Sequence, residues 1–225
     1  MARMQSGRIR QVSATGAGLF ALVALLLSAA CSSVYYSTLE SFGVAKREVL
    51  AERVADGRED QQEAREQFES ALEAFKSVTD FQGGSLEAVH GKLSRELDRC
   101  EESAATVTRR IASIEDVARH LFEEWEQETQ AYQSAALRRQ SEELLADTQR
   151  RYAGLLDAMR RAEQSMQPVL AAFRDHVLFL KHNLNAQAVA ALVGSVAEIE
   201  GDVARLVQDM EASIAEADAF IAALG

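Results

Sequence analysis

Proline is almost absent from this chain and glycine is scarce, with one Pro and 12 Gly among 225 residues. A fold of many strands needs a turn every few residues, and turns draw heavily on these two residue types. The composition therefore argues against a many-stranded β fold. It also argues against wholesale disorder, because 48% of the residues are hydrophobic and 26% are charged.

Cysteine and positive charge are also in short supply. Two Cys cannot form a disulfide framework. The 24 Lys and Arg are outnumbered by 35 Asp and Glu, which gives a net charge of −11. Because a nucleic-acid-binding protein needs excess cations to displace counterions, we expect no nucleic-acid partner. The sequence also lacks a Gly-rich phosphate loop, a nucleophile elbow and a paired-Cys redox motif, so we predict no enzymatic activity and no cofactor.

The first thirty residues have the pattern of a secretory signal peptide. Residues 1–13 carry three Arg and no acidic residue, and an apolar stretch over 14–30 follows, ending in small residues just before Cys31. This stretch is shorter than the roughly 20 apolar residues of a membrane-spanning helix. Cleavage is therefore favoured over a retained membrane anchor, and we predict that residues 1–30 are removed.

The segment Leu27-Ser28-Ala29-Ala30-Cys31 resembles the lipobox of bacterial lipoproteins. In those proteins the Cys is acylated and becomes the mature N-terminus, so the resemblance implies a lipid anchor at Cys31 and a short tether over residues 31–36. Ser28 stands where the motif usually has Leu, and the same small residues suit ordinary signal peptidase, which would leave Cys31 unmodified. Ser32 is not the Asp associated with inner-membrane retention. In a Gram-negative host the resemblance therefore implies sorting to the outer membrane, facing the periplasm.

The rest of the chain has the apolar periodicity of four long helices. Apolar residues recur in alternating steps of three and four, the spacing of a coiled-coil seam. The seam positions include Ala64, Phe68, Ala71, Phe75 and Val78 in a short first segment; Leu97, Cys100, Ala104, Val107, Ile111, Ile114, Ala118, Leu121 and Trp125 in the second; Leu145, Thr148, Tyr152, Leu155, Met159, Ala162, Met166, Val169 and Phe173 in the third; and Val189, Leu192, Val196, Ile199, Val203, Leu206 and Met210 in the fourth.

Helix-breaking and capping residues fall between these segments. They are the capping box of Ser37 and Glu40, Gln82-Gly83-Gly84 with Ser85 as an N-cap, Tyr132-Gln133-Ser134, and Asn183-Leu184-Asn185. Short connections make neighbouring helices antiparallel. We therefore predict an all-α fold, an elongated antiparallel four-helix coiled-coil bundle that forms a single domain over residues 37–225. A long hairpin that completes its core by dimerising is the alternative.

The third predicted helix differs from the others in charge. Residues 137–184 hold eight basic and six acidic side chains, whereas acidic residues outnumber basic ones in the other three segments. Three pairs supply most of the positive charge: Arg138, Arg139, Arg150, Arg151, Arg160 and Arg161. Pairing with acidic neighbouring helices would fix the helix order. The alternative is a surface for lipid phosphate or an acidic partner, so these six residues are candidate binding residues.

Other residues with chemical potential are isolated in the sequence. Glu87-Ala88-Val89-His90 matches the Glu-x-x-His of di-iron bundles, but such a site needs a second copy and the chain has none, so we predict no metal site. Asp116 and His120 are one helical turn apart and are expected to form a surface pair. Cys100 lies on the seam and is expected to be a buried, inert thiol.

Several segments also carry a family resemblance. They are Tyr35-Tyr36-Ser37, Val44-Ala45-Lys46-Arg47, Phe81-Gln82-Gly83-Gly84, residues 118–125, residues 162–175 and, most distinctively, residues 177–186. The chain resembles, over nearly all of residues 34–221, a bacterial family catalogued only as a domain of unknown function, whose members look like coiled-coil lipoproteins. The resemblance supports a lipoprotein and implies no catalytic residue.

These features favour a non-enzymatic, lipid-anchored envelope protein that acts as a scaffold, spacer or adaptor. Its expected partners are membrane lipid, through the acyl anchor at Cys31, and a protein of the cell envelope. The alternative is a periplasmic bundle that binds a lipid, a small molecule or a metal between its helices.

Overall fold

The computed structural model describes residues 46–78, 85–183 and 185–224. The chain divides into two compact units, one up to Lys46 and one from Arg47 onward. The predicted signal peptide, Cys31 and the predicted capping box of Ser37 and Glu40 lie outside the described residues.

Four long α-helices make up almost all of the described chain. They are α1 (Lys46–Lys76), α2 (Leu86–Ala131), α3 (Ala135–His182) and α4 (Ala186–Leu224). The longest, α3, has 48 residues. At 1.5 Å per residue it is about 70 Å long. The all-α prediction and the four predicted helices are confirmed.

The helix ends are fixed by residues that the sequence marks as breaks. The Ser85 hydroxyl accepts a hydrogen bond from the backbone amide of the third residue after it (3.2 Å) and caps α2. Ser134 caps α3 in the same way, accepting from the amide of Leu137 (3.4 Å). Tyr132 ends α2 and Asn183 ends α3. Each capping hydroxyl satisfies one of the amides that a helix N-terminus leaves without a partner.

Neighbouring helices run antiparallel, and ion pairs between α1 and α4 show the register. Arg58 of α1 pairs with Asp218 of α4 (3.5 Å), and Lys76 pairs with Glu200 (3.0 Å). Residue numbers therefore rise along α1 as they fall along α4, so the two helices are antiparallel. Comparable contacts join the other neighbouring helices: Arg110 with Asp60, Arg160 with Glu115, and Tyr152 with Phe220. The order is closed, α1–α2–α3–α4–α1, as in an up-down-up-down bundle.

The diagonal helices α1 and α3 meet in the core of the bundle. Phe173 of α3 stacks on Phe75 of α1 with ring centroids 4.4 Å apart. The ring of Phe68, also on α1, lies 6.5 Å from that of Phe173. All three rings are fully buried. Along most of their length the seam positions predicted from the sequence are buried as well, so the coiled-coil periodicity identified the core.

Five predicted seam residues are less buried than expected. They are only partly buried: Trp125, Thr148, Tyr152, Val189 and Val196. The indole N–H of Trp125 donates a hydrogen bond to the hydroxyl of Ser141 (2.9 Å). Trp125 lines a groove near the last described residues of α4, where fewer side chains surround it.

The two ends of the bundle are distinct. We call the end where α1 and α3 begin and α2 and α4 end the near end. One groove there is lined by Arg47, Trp125, Leu144 and Leu224. At the far end, α1 and α3 end and α2 and α4 begin, and the Phe75 ring lies 6.4 Å from the His176 ring.

Candidate functional site

The first of the predicted arginine pairs closes the α2–α3 turn. Arg138 donates hydrogen bonds to the backbone carbonyls of Tyr132 (2.9 Å) and Gln130 (3.4 Å) at the C-terminus of α2. These carbonyls have no partner within their own helix, and the helix dipole favours a cation beside them. Arg138 therefore stabilises the turn, while its neighbour Arg139 is exposed.

The second pair is bound to one carboxylate on its own helix. Asp147 accepts hydrogen bonds from Arg150 (2.9 Å) and Arg151 (2.8 Å). The hydrogen bond from Arg151, followed by that from Arg150, lowers the pKa of Asp147. Both Arg side chains remain largely exposed, so this contact adds little to stability.

The third pair divides between two partners. Arg160 reaches across to Glu115 of α2, whereas Arg161 bonds Asp157 of α3. Arg174, further along α3, bonds Glu101 of α2. Pairing of α3 with its acidic neighbour, the first of the two sequence-based explanations, thus holds for Arg160 and Arg174. The structure spreads the six predicted Arg along α3 and does not gather them into one pocket.

The most extensive ionic contact is one that the sequence did not indicate. Arg110 of α2 donates to Asp60 (2.6 Å) and Asp56 (2.7 Å), which are one turn apart on α1. Burial opposes the charge of Arg110, but its hydrogen bonds and Coulomb interactions with the two Asp raise its pKa overall. Between these two Asp lies Gly57, where an added Cβ would approach Ile114 to 2.9 Å. The glycine lets α1 pass close to α2 beside this ion-pair cluster.

The described cysteine is a core residue rather than a reactive one. Cys100 is fully buried, and burial raises the pKa of its thiol to about 12. A thiol that stays protonated near neutral pH is a poor nucleophile. This confirms the expected buried position of Cys100. Cys31 lies outside the described residues, so its acylation stays a prediction.

Among the isolated His and Glu residues, Glu87 is exposed, whereas His90 and His120 are only partly exposed. Glu87 accepts a hydrogen bond from the Ser85 hydroxyl (2.6 Å), which lowers the pKa of Glu87. Asp116 and His120 lie 3.6 Å apart as the predicted surface pair. Within residues 46–78, 85–183 and 185–224, no group of three His, Cys, Asp or Glu is placed to hold a metal ion.

Among the residues that the structure describes, two polar side chains in the core have no hydrogen-bond partner. Gln61 is 1% exposed and Ser213 is fully buried, and neither amide atom of Gln61 nor the Ser213 hydroxyl is bonded within the protein. Two α1–α4 ion pairs bracket them along the bundle: Arg58–Asp218 and Arg65–Glu211. They therefore lie at about the same level of the core. Gln61 is not among the predicted core positions, because the apolar pattern of the first segment begins only at Ala64.

An open groove runs between α1 and α4. It has a volume of about 560 Å³. Its lining includes the apolar residues Leu72, Val203 and Val207 and the acidic residues Glu73 and Glu200. Lys76 pairs with both of these Glu.

Exposed large apolar side chains gather at the two ends. Near the α2–α3 turn are Tyr132 (41% exposed), Leu137 (52%) and Leu144 (54%). Toward the far end are Leu178 (53%) and Phe179 (41%) on α3. Their positions at the ends, away from the mid-bundle surface, make both groups candidates for contact with another molecule.

These features define an all-α protein whose four helices pack into an antiparallel bundle with mostly local surface ion pairs. The chain belongs to the family described as "Protein of unknown function (DUF2959)", whose model matches residues 35–224. The sequence resemblance to an uncharacterised family is thereby confirmed. No curated protein and no solved structure matches the chain. None of the helices within the described residues contains an apolar stretch of the length needed to span a bilayer.

Proposed function

We propose that this protein is a non-enzymatic, lipid-anchored scaffold or spacer of the bacterial cell envelope. In this proposal Cys31 is acylated and anchors the chain in the outer membrane. The bundle faces the periplasm and binds an envelope protein through its helix surfaces.

The observation that carries the proposal is the filled core. Large side chains such as Phe68, Ile114, Met159 and Leu192, which come from all four helices, are buried. A tightly packed bundle of this length resists compression and holds its two ends apart. This mechanical property suits a spacer and requires no pocket.

The course of the chain supports the same role. The second unit begins at Arg47, at the near end of the bundle. A chain tethered through Cys31 would therefore enter the bundle at that end. The far end would then be about 70 Å away along α3, whose 48 residues rise 1.5 Å each.

One observation favours the ligand-binding alternative. The groove between α1 and α4 has a volume of about 560 Å³. This is within the range of small-molecule sites, although such sites are usually deeper and more enclosed. Ligand binding to this groove is the second candidate function.

Crosslinking in intact cells tests the scaffold proposal. A photo-reactive amino acid is placed at exposed Leu178 or exposed Glu69, and at buried Ile114 as the control. The scaffold proposal expects one discrete protein adduct from an exposed site and none from Ile114. The adduct should be lost in Cys31→Ser, which cannot be anchored, and kept in Cys100→Ser.

A thermal-shift screen with metals, phospholipids and small molecules tests the alternative. The scaffold proposal expects no saturable rise in Tm, whereas a ligand that occupies the α1–α4 groove would raise Tm as its concentration rises. A saturable rise that is lost in Val207→Glu would replace the scaffold proposal with the ligand-binding one.

A further inference from the structure

The α2–α3 turn forms an exposed, uncharged tip at the near end of the bundle. Residues 130–137 are all exposed. No Asp, Glu, Lys or Arg occurs from Thr129 to Leu137, in a chain of which 26% is charged. We call residues 131–137 the hairpin tip. Two of its large side chains, Tyr132 and Leu137, are 41% and 52% exposed.

The hairpin tip projects beyond the described part of α4. The ring of Tyr152 on α3 lies beside that of Phe220 on α4, with centroids 6.1 Å apart. Because the two helices are antiparallel, Leu224 is level with a position about one turn before Tyr152. The start of α3, from Ala135, therefore extends roughly 20 Å past Leu224 at 1.5 Å per residue.

The chemistry of the hairpin tip suits the interface of a lipid bilayer. An aromatic ring with a hydroxyl, such as Tyr132, is favoured where hydrocarbon meets headgroups, and Leu137 gains from leaving water. The nearest charged side chains on either side of the tip are Glu128 and Arg138, of opposite sign. The two acidic residues nearest the tip on one side, Glu126 and Glu128, are matched in number by Arg138 and Arg139 on the other.

We propose that the hairpin tip rests in the interface of the bilayer that holds the Cys31 anchor, as a second point of membrane contact. This inference depends on the proposed lipid anchor. A bilayer is the expected partner of the hairpin tip because Arg47, where the second unit of the chain begins, lies at the near end, as the tip does. The 15 residue-to-residue steps from Cys31 to Lys46 span at most about 54 Å, which is less than the length of α3. Two points of membrane contact restrict the tilt of the bundle more than one point does.

The chain offers a matched control for this inference at the far end. Leu178 is 53% exposed, against 52% for Leu137, and both lie on α3. They are about 60 Å apart along the helix. Each is replaced by Cys in the full chain and labelled with an environment-sensitive fluorophore. Cys100 does not compete for the label because it is buried.

The labelled proteins are studied in membranes that contain spin-labelled phospholipid, which quenches a fluorophore only on contact. We expect the fluorophore at Leu137→Cys to be blue-shifted and quenched about twofold, and the one at Leu178→Cys to be unchanged. Equal quenching at both positions, or none at Leu137→Cys, would overturn the inference. A blue shift without lipid quenching would also overturn it, because protein would then cover the tip.

Flotation of the same samples separates this inference from the proposed anchor. A protein that floats with the membranes while its tip is not quenched contradicts the tip contact alone. A protein that does not float contradicts the anchor and the tip contact together.

Discussion

Replacing Gln61 with Leu should stabilise the bundle. Gln61 is 1% exposed, and both polar atoms of its side-chain amide lack a hydrogen-bond partner within the protein. In the unfolded chain the same amide is hydrated. Folding therefore removes water from the amide without a replacement bond, which disfavours the folded state.

The expected size of the effect follows from the two unpaired atoms. A buried polar group without a partner costs about 1–3 kcal/mol. Leu is similar in size to Gln, so the substitution leaves no large cavity and introduces little strain. We expect Gln61→Leu to raise the free energy of unfolding by about 1–3 kcal/mol. For a chain of this length that is a rise in Tm of several degrees.

Gln67 on the same helix provides the control of opposite sign. Its amide donates to Glu96 Oε2 (2.9 Å) and lies 3.9 Å from the Cys100 sulfur. Glu96 is itself buried. Gln67→Leu would therefore leave a buried carboxylate with one hydrogen bond fewer, and we expect a loss of about 1–2 kcal/mol.

Urea denaturation of the mature chain, followed by circular dichroism, measures both changes. Equal m-values in the variants and the parent would show that the folded and unfolded ensembles are comparable. If Gln61→Leu lowers the free energy of unfolding, or leaves it unchanged, the amide is satisfied in solution and the reasoning is wrong. The same holds if both Leu substitutions change stability in the same direction.

Three further predictions concern the core, a cap and pH. Phe173→Ala should lower the free energy of unfolding by about 3–5 kcal/mol in urea denaturation, because the buried ring stacks on Phe75. A loss below about 1 kcal/mol would contradict the packing of Phe173 in the core. Ser134→Ala should cost about 1 kcal/mol by removing the cap of α3, and Ser134→Gly less; equal losses would argue against the capping bond. Burial lowers the pKa of His176. The unfolded chain therefore binds this proton at higher pH than the folded chain does, and stability should fall as the pH falls through about 6.5 and level off below the folded pKa. His176→Gln should flatten the pH dependence of the urea midpoint at about pH 6.5. If the pH dependence is unchanged in this variant, His176 is not the group responsible for it.

The heptad pattern and the caps predicted most of the fold because both depend on nearby residues. Ser85 and Ser134 cap helices at the predicted breaks. The apolar seams of α2 and α3 are recognisable from the sequence of each helix alone. Packing of four such stripes into one bundle follows from burying every apolar face.

The start of α1 was harder to trace because its core positions are not uniformly apolar. Leu50 and Val54 are buried, and the seam continues through Gly57 and Gln61 before it reaches Ala64. A glycine and a glutamine interrupt the apolar signal at two successive seam positions. The burial of this glycine and glutamine depends on residues of other helices that pack against them, and the sequence does not show which residues these are.

The ionic contacts depended even more on tertiary structure. Arg110 meets Asp56 and Asp60 across the α1–α2 interface, and nothing in the local sequence pairs these residues. The predicted Arg pairs were visible as charge, but their partners were not. Arg138 turned out to bond backbone carbonyls of the α2–α3 turn, which a count of charged side chains does not reveal.

The lipid anchor at Cys31 is the central claim, and the intact mass of the protein from separated inner and outer membranes tests it most directly. The account predicts outer-membrane protein with the mass of a chain that starts at Cys31 and carries acyl groups. Cys31→Ser should lose the added mass and the membrane association, and Cys100→Ser should keep both. An unmodified, freely soluble chain that starts at Cys31 would contradict the anchor and the spacer mechanism with it.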